Sequence, residues 1–323
     1  MTYDEFLAVL DGKTKPVGSL GRLEDLAARA GAVLGSDADP AAALTIFAAD
    51  HGLAAEGVSA FPADVTAQMV ANFLAGGAAA TVIARRLGVP VTVADCGVAT
   101  AVPGALGMRL GAGTDNAARG PAMTPETAER ALAQGRAHGA KGPPLALFGE
   151  MGIGNTATAA LMAHKLSGLP LAALVGRGTG LDDAGVARKL AILERAAGRT
   201  GDLTPTEVLS EVGGFEIGTM AGAMLGAAGA GRLVLVDGFI ATAAAALARA
   251  LEPGCAAAMI HAHASAERGH AALLEHLGER PLLDLDMRLG EGTGALLAVP
   301  LVRAALALFG MASFESAGVS GRV

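Results

Sequence analysis

Short apolar runs recur along the chain, each closing on an acid, a histidine or glycines and each followed by an alanine- and leucine-rich stretch of helical pattern. They are LTIFAAD (44–50), VTVADCG (91–97), LALFGE (145–150), AALVGRG (172–178), LVLVDG (233–238) and AAMIHAH (257–263). Because the runs are apolar at successive rather than alternate positions, both faces of each strand need covering. Such strands, alternating with helices, predict a parallel α/β sheet with helices on both sides. Ligands of these sheets bind at the carboxyl ends of the strands. That rule gathers Asp50 with His51, Asp95, Glu150, the segment from Gly176 to Gly180, Asp237, and His261 with His263 around one candidate site. Residues 1–40 read as helices outside the sheet and Pro300 to Phe309 as a late helix. A smaller helical domain of 1–40 with roughly 296–323 is therefore expected beside a large α/β domain of 41–295.

A mean hydropathy of +0.47 raises the question of a membrane. The longest uncharged run, Val65 to Ala84, is long enough to cross one. It holds Thr66, Gln68, Asn72 and Gly76-Gly77, which suit a helix packed in a soluble protein better than one facing lipid. The opening residues MTYDEFLAVLDGK carry acids early and lack the charged and apolar regions of a signal peptide. Cys96 and Cys255 make neither a metal pattern nor a disulfide framework, so a reduced, cytoplasmic protein without a membrane span is expected. A net charge of −7 and only 3 % aromatic residues leave no basic field and few stacking surfaces, which speaks against nucleic acid as a partner.

GEMGIGNTATAALMAHK (149–165) is the strongest local motif. The strand runs into Gly149, Gly152 and Gly154, and Asn155 or Thr156 can cap the helix that follows. Small residues at such a turn leave backbone N–H groups open, and the helix dipole adds partial positive charge, an arrangement that suits phosphate. A tight turn with no ligand would use the same residues. VGRGTGLDD (175–183) repeats the pattern with Gly176 and Gly178, trailed by Arg188 and Lys189. The lysine could neutralise a phosphate as a point charge, or the pair could line a solvated helix face. GEGTGA (290–295) has the glycines of a dinucleotide fingerprint but lies near the C-terminus rather than in the first strand–helix unit, and no P-loop motif occurs. His261 and His263 would share one strand face as a metal pair, yet no third ligand lies nearby; lining the strand end or capping a helix begun at Ser265 accounts for them equally. Asp50-His51 stays open between polar lining and half of a catalytic dyad, with no serine or cysteine nucleophile motif beside it.

Six stretches together resemble the nicotinate-nucleotide:dimethylbenzimidazole phosphoribosyltransferase family. They are KPVGSLGRLE (15–24), ADHGLAAEGVSAFP (49–62), GEMGIGNT (149–156), EVGGFEIGTMAGAMLGAA (211–228), VDGF (236–239) and MRLGEGTGALLA (287–298), spread over nearly the whole chain. The resemblance implies a Rossmann-like parallel sheet covered by helices on both faces, a smaller helical domain from the terminal segments, and a homodimer with a shared active site. It implies transfer of phosphoribose from nicotinate mononucleotide to 5,6-dimethylbenzimidazole or a related base, giving α-ribazole 5′-phosphate and nicotinate for the nucleotide loop of cobalamin. By motif, Glu291 matches the family's general base. Glu150, Gly152, Gly154, Asn155, Thr156, Gly176, Gly178 and Lys189 would hold the ribose and phosphate. Phe61, Gln68, Met69, Leu289 and Asp237 would hold the azole. Neither a cofactor nor a metal is implied, because the leaving group is a pyridinium and not a pyrophosphate calling for magnesium. In that reaction the incoming azole becomes cationic as one nitrogen bonds to the ribose carbon, so a single base on its other N–H suffices, and a carboxylate in an apolar site can serve. The glycine loops alone would also fit a nicotinamide-dependent oxidoreductase or a non-catalytic nucleotide-binding protein.

Overall fold

Five of the six apolar runs form strands of one sheet in the computed structural model, which describes residues 1–36, 38–178 and 180–320. The strands are β1 (Ala42–Ala49), β2 (Val91–Gly97), β3 (Leu106–Gly107), β4 (Leu145–Met151), β5 (Leu233–Val236) and β6 (Met259–His261). They lie in the order β3-β2-β1-β4-β5-β6, with every neighbouring pair parallel. The order reverses between β1 and β4, the switch point at which open α/β sheets take their ligands.

Both faces are dry, as the lack of alternation predicts. Phe47, Phe148, Val234 and Val236 pack with the helices Asn155–Ser167, Phe215–Gly229 and Phe239–Leu251 on one face. Leu44, Ile46, Leu145, Leu147, Leu233 and Leu235 pack with Arg22–Leu34 and Thr293–Ala307 on the other. Each such side chain contributes about 1.5–3 kcal/mol when fully buried, which is what replaces a polar face on every strand. The small-residue run of Phe215–Gly229 has a packing role: a Cβ on Gly222 would stand 2.2 Å from the Leu132 carbonyl oxygen of the helix Pro125–Gly139.

The uncharged run 65–84 divides into two helices, Val65–Ala75 and Ala79–Leu87, broken at Gly76 with φ of 77°. Val70, Phe73, Ala80 and Ala84 join the core, so the apolarity of the run serves packing. The terminal segments meet: Lys13 bridges Ser313, and the rings of Phe6 and Phe309 lie 5.0 Å apart. Leu10, Leu26, Val299 and Val302 belong to the same buried cluster as the sheet residues beneath them.

Three expectations are corrected. The run 172–178 is no strand: Leu171–Leu174 forms one helical turn after Pro170 and a loop follows. Leu171 and Leu174, three apart, are the buried pair, a helical spacing that a short apolar run conceals. Nor do His261 and His263 share a strand. β6 ends at His261, and β7 (His263–Ala264) pairs with β8 (Leu283–Asp284) in a separate two-stranded sheet. The next helix begins at Arg268 rather than Ser265.

Candidate active site

A cleft with about 600 Å³ of empty volume opens beyond the carboxyl ends of β4 and β5. Glu150, Gly152, Asn155, Thr156, Gly178, Leu289 and Glu291 line it. Gly154 lines an adjoining recess with Ser59, and Gly176 another with Arg177, Glu267 and Arg288. Thr179 of that second loop lies outside the described residues. Asp237 and Lys189 are buried. Phe61, Gln68 and Met69 stand outside the cleft lining, on the segment carrying Thr66, whose hydroxyl accepts the Ile153 N–H at 3.1 Å.

Glu291 occupies a left-handed backbone position with φ of 62°, between Gly290 at 82° and Gly292 at 85°. Only glycine adopts such angles freely, so the glutamate is held there by its surroundings. The close approach that holds it is at Gly149 of β4, where a Cβ would stand 2.4 Å from the Glu291 carbonyl carbon. The carboxylate is buried, and its Oε2 has no partner among the described residues. Burial pushes its pKa up to about 7; the Ala80 N–H at the start of a helix opposes that shift, and the charge of Asp237 adds to it.

Beneath this loop Asp237 caps the helix Thr293–Ala307. Its carboxylate accepts N–H groups from Gly292 at 3.1 Å and Ala295 at 2.9 Å, which points it at the helix N-terminus and away from the cleft. Glu150 accepts the Asn155 side-chain amide and, at 3.4 Å, the Glu291 backbone N–H. Burial first, then the charges of Asp237 and Glu216, push the Glu150 pKa up to about 8. The cleft thus holds two carboxyl groups of raised proton affinity side by side.

The glycine turn ends at Gly154, whose φ of 98° makes it the N-cap of Asn155–Ser167 with no side chain capping the helix. Asn155 turns to Glu150 instead of capping, and Thr156 accepts a hydrogen bond from Lys189 Nζ at 2.9 Å. Arg188 and Lys189 part company: the arginine is exposed, while the lysine is 1 % exposed with its pKa pushed down to about 8 by burial.

Several lining residues escape a reading of the sequence. Ser265, Glu267 and Arg288 face the cleft, and Arg288 donates to the Gly178 carbonyl at 3.0 Å. Arg288 sits inside a quoted motif, MRLGEGTG, and could have been singled out; Ser265 and Glu267 carry no local signal. At the other strand ends the polar groups bind protein. Asp50 accepts the Ala99 N–H at 2.7 Å, and Asp95 accepts Arg109 at 2.6 Å. His51 pairs with Glu216 at 2.8 Å. His261 and His263 are buried, His261 beside the Thr242 hydroxyl at 3.4 Å and His263 Nε2 3.8 Å from Asp237. Among the described residues no three His, Cys, Asp or Glu side chains gather as a metal ion requires.

A family model described as phosphoribosyltransferase matches residues 2–319. The nicotinate-nucleotide–dimethylbenzimidazole phosphoribosyltransferase of Cupriavidus necator is 52 % identical, over 98 % of this chain and 94 % of its own length. Its namesake in Variovorax paradoxus is 53 % identical, over 97 % and 92 %. Among solved structures, CobT from Thermus thermophilus superposes with a TM-score of 0.95 at 46 % identity, covering 99 % of each chain.

Proposed function

The chain belongs to the phosphoribosyltransferase family of these relatives, and from that premise we propose that it transfers phosphoribose from nicotinate mononucleotide to 5,6-dimethylbenzimidazole or a related azole, in cobalamin nucleotide-loop assembly. The observation that carries the reading is Glu291, a buried carboxylate of raised proton affinity with a free oxygen, set across a cleft from a glycine-rich helix start.

The nucleotide phosphate rests on the turn Gly152–Thr156 and the second loop at Gly176 and Gly178. Lys189, buried against Thr156, meets it as a cation; a nearby dianion would restore the charge that burial disfavours. The azole lies by Leu289 and Glu291, and the segment of Phe61, Gln68 and Met69, tied to the cleft wall where Thr66 accepts the Ile153 N–H, approaches it from outside the lining. A ring nitrogen of the azole bonds to the ribose C1′ as the bond from C1′ to the pyridinium nitrogen breaks. The bonding pair goes to the departing ring, which leaves neutral at nitrogen and needs no acid. The proton on the other azole nitrogen passes to Glu291, whose charge also stabilises the imidazolium as it forms. Attack opposite the leaving ring inverts C1′, turning a β-nucleotide into an α-product. Glu150, largely protonated at neutral pH, can donate to the ribose without adding a second negative charge. Asp237, in this reading, acts from beneath by holding the Glu291 loop.

The same reading makes the protein a cytoplasmic homodimer. Its support is the pair of buried free cysteines and the exposed apolar side chains of Phe61 and Leu74, with that of Leu289 in the cleft lining, which a second subunit would cover. Sedimentation at micromolar concentration should give a dimer. For the activity, purified protein is mixed with nicotinate mononucleotide and a panel of azoles, and products are identified by mass spectrometry. Azole-dependent release of nicotinate with a matching α-riboside phosphate is expected; nucleotide binding without nicotinate release would overturn the assignment.

A further inference from the structure

Three of the stretches that carry the resemblance, at ADHG, GEMGIGNT and EVGGFEIG, meet at one point that the chemistry above leaves unused. His51, just after β1, is held by its backbone: the flanking Gly52 N–H donates to the Thr114 carbonyl at 3.0 Å, and the Thr114 N–H donates back to Asp50 at 3.0 Å. Its ring is buried between two helices, with Nε2 2.8 Å from Glu216 and Nδ1 3.0 Å from the Thr158 hydroxyl. A carboxylate only accepts, so Nε2 carries the hydrogen, and in the neutral ring Nδ1 then accepts from the Thr158 hydroxyl. Glu216 is fully buried and its second oxygen is unpartnered, so the imidazole N–H is its compensation.

The ring is also the floor of the phosphate turn. A Cβ on Gly152 would stand 3.0 Å from His51 Nε2, and one on Gly214 would stand 2.6 Å from Cε1. The turn is therefore seated on the imidazole edge, and Thr158 ties the first turn of the following helix to the same ring. His51 is buried outside the cleft lining with both ring nitrogens bonded to protein, so it acts through the turn above it.

We propose that His51, linked to Glu216 and Thr158, is a positioning residue that sets where the Gly152–Gly154 turn receives the nucleotide phosphate. This rests on the placement of phosphate at that turn. Thr158→Val keeps the volume and deletes the hydroxyl. It should raise the KM for nicotinate mononucleotide about three- to tenfold, the worth of one buried hydrogen bond, with the azole KM and kcat within about twofold. Thr158→Ser should restore the KM. Glu216→Gln keeps an acceptor for Nε2 and should stay near wild type, whereas Glu216→Leu should raise the nucleotide KM in the same selective way. Lys189→Met, measured in parallel, separates the two layers. If it raises the nucleotide KM while folded Thr158→Val and Glu216→Leu do not, the positioning role is overturned. If it has no effect, the phosphate placement falls and the inference with it. A lowered Tm with both KM values unchanged would mean that the pair serves stability alone, and equal loss for both substrates would likewise overturn the proposal. Should one variant not fold, the other decides by the same criterion.

Discussion

Replacing Glu291 by glutamine removes a base and a charge while disturbing little else. The backbone at φ of 62° is as strained for one as for the other, and the glutamine oxygen can accept the Ala80 N–H that the carboxylate accepts now. The pKa of Glu291 stands at about 7 instead of 4.5, which is about 3 kcal/mol of added proton affinity. General-base assistance lowers a barrier by a similar amount, roughly 10²–10⁴ in rate, and turnover of Glu291→Gln should fall by that factor. Nucleotide affinity should change less than about threefold, since the proposed phosphate site is the glycine turn and not the Glu291 carboxylate. In the wild type, kcat/KM for the azole should fall as the pH drops through about 7, because the ionised form is the base; the residual activity of the variant should lack that limb. Folding is checked independently. A carboxyl group whose folded pKa is raised destabilises the fold progressively as pH rises from its unfolded pKa to its folded one, so the variant should melt no lower than wild type at pH 8. Nicotinate release, calorimetric nucleotide binding and melting curves supply the three readings. A folded variant that binds both substrates and turns over within about threefold of wild type would remove Glu291 from the mechanism and move its role to Glu150.

Other perturbations probe the remaining parts of the site. Lys189→Met should raise the KM for nicotinate mononucleotide about 10- to 100-fold and leave that of the azole nearly unchanged, the cost of one charged hydrogen bond; equal effects would count against the placement. Phe61→Ser should alter product ratios severalfold when substituted benzimidazoles compete directly, and unchanged ratios would reduce Phe61 to a surface residue. Glu150 is protonated in the folded state up to about pH 8 but ionises near 4.5 when unfolded, so its burial costs stability that grows between those values. Glu150→Gln should therefore raise Tm more at pH 8 than at pH 5, and a pH-independent shift would contradict the raised pKa. Gly149→Ala would put a Cβ 2.4 Å from the Glu291 carbonyl carbon, and displacing that loop should cost about 10²-fold in kcat with nucleotide binding retained; normal turnover would show that the loop can yield.

Much of this architecture is legible in the chain. Runs such as LTIFAAD and LVLVDG are apolar at successive positions up to their closing acid, Thr45 excepted, because helices cover both faces, and that local fact already implies a parallel sheet with its ligands at the carboxyl ends. Glycine motifs at 149–156 and 290–294 also announce themselves, since left-handed turns and close backbone approach select that residue wherever they occur. The helical turn at Leu171–Leu174 was hidden because four apolar residues satisfy a strand and a helix alike, and only the packing around them chooses. Side-chain partners are less visible still. Lys189 looks like its neighbour Arg188 until one faces water and the other is sealed against Thr156, and Asp237 reads as a site acid until it turns to cap a helix begun 56 residues later. His51 and Glu216 meet although 165 residues separate them. Sequence alone determined the periodicities and the turn chemistry, which depend on neighbours along the chain. Tertiary structure decided which charges lose water and which groups compensate them, because desolvation and pairing depend on neighbours in space.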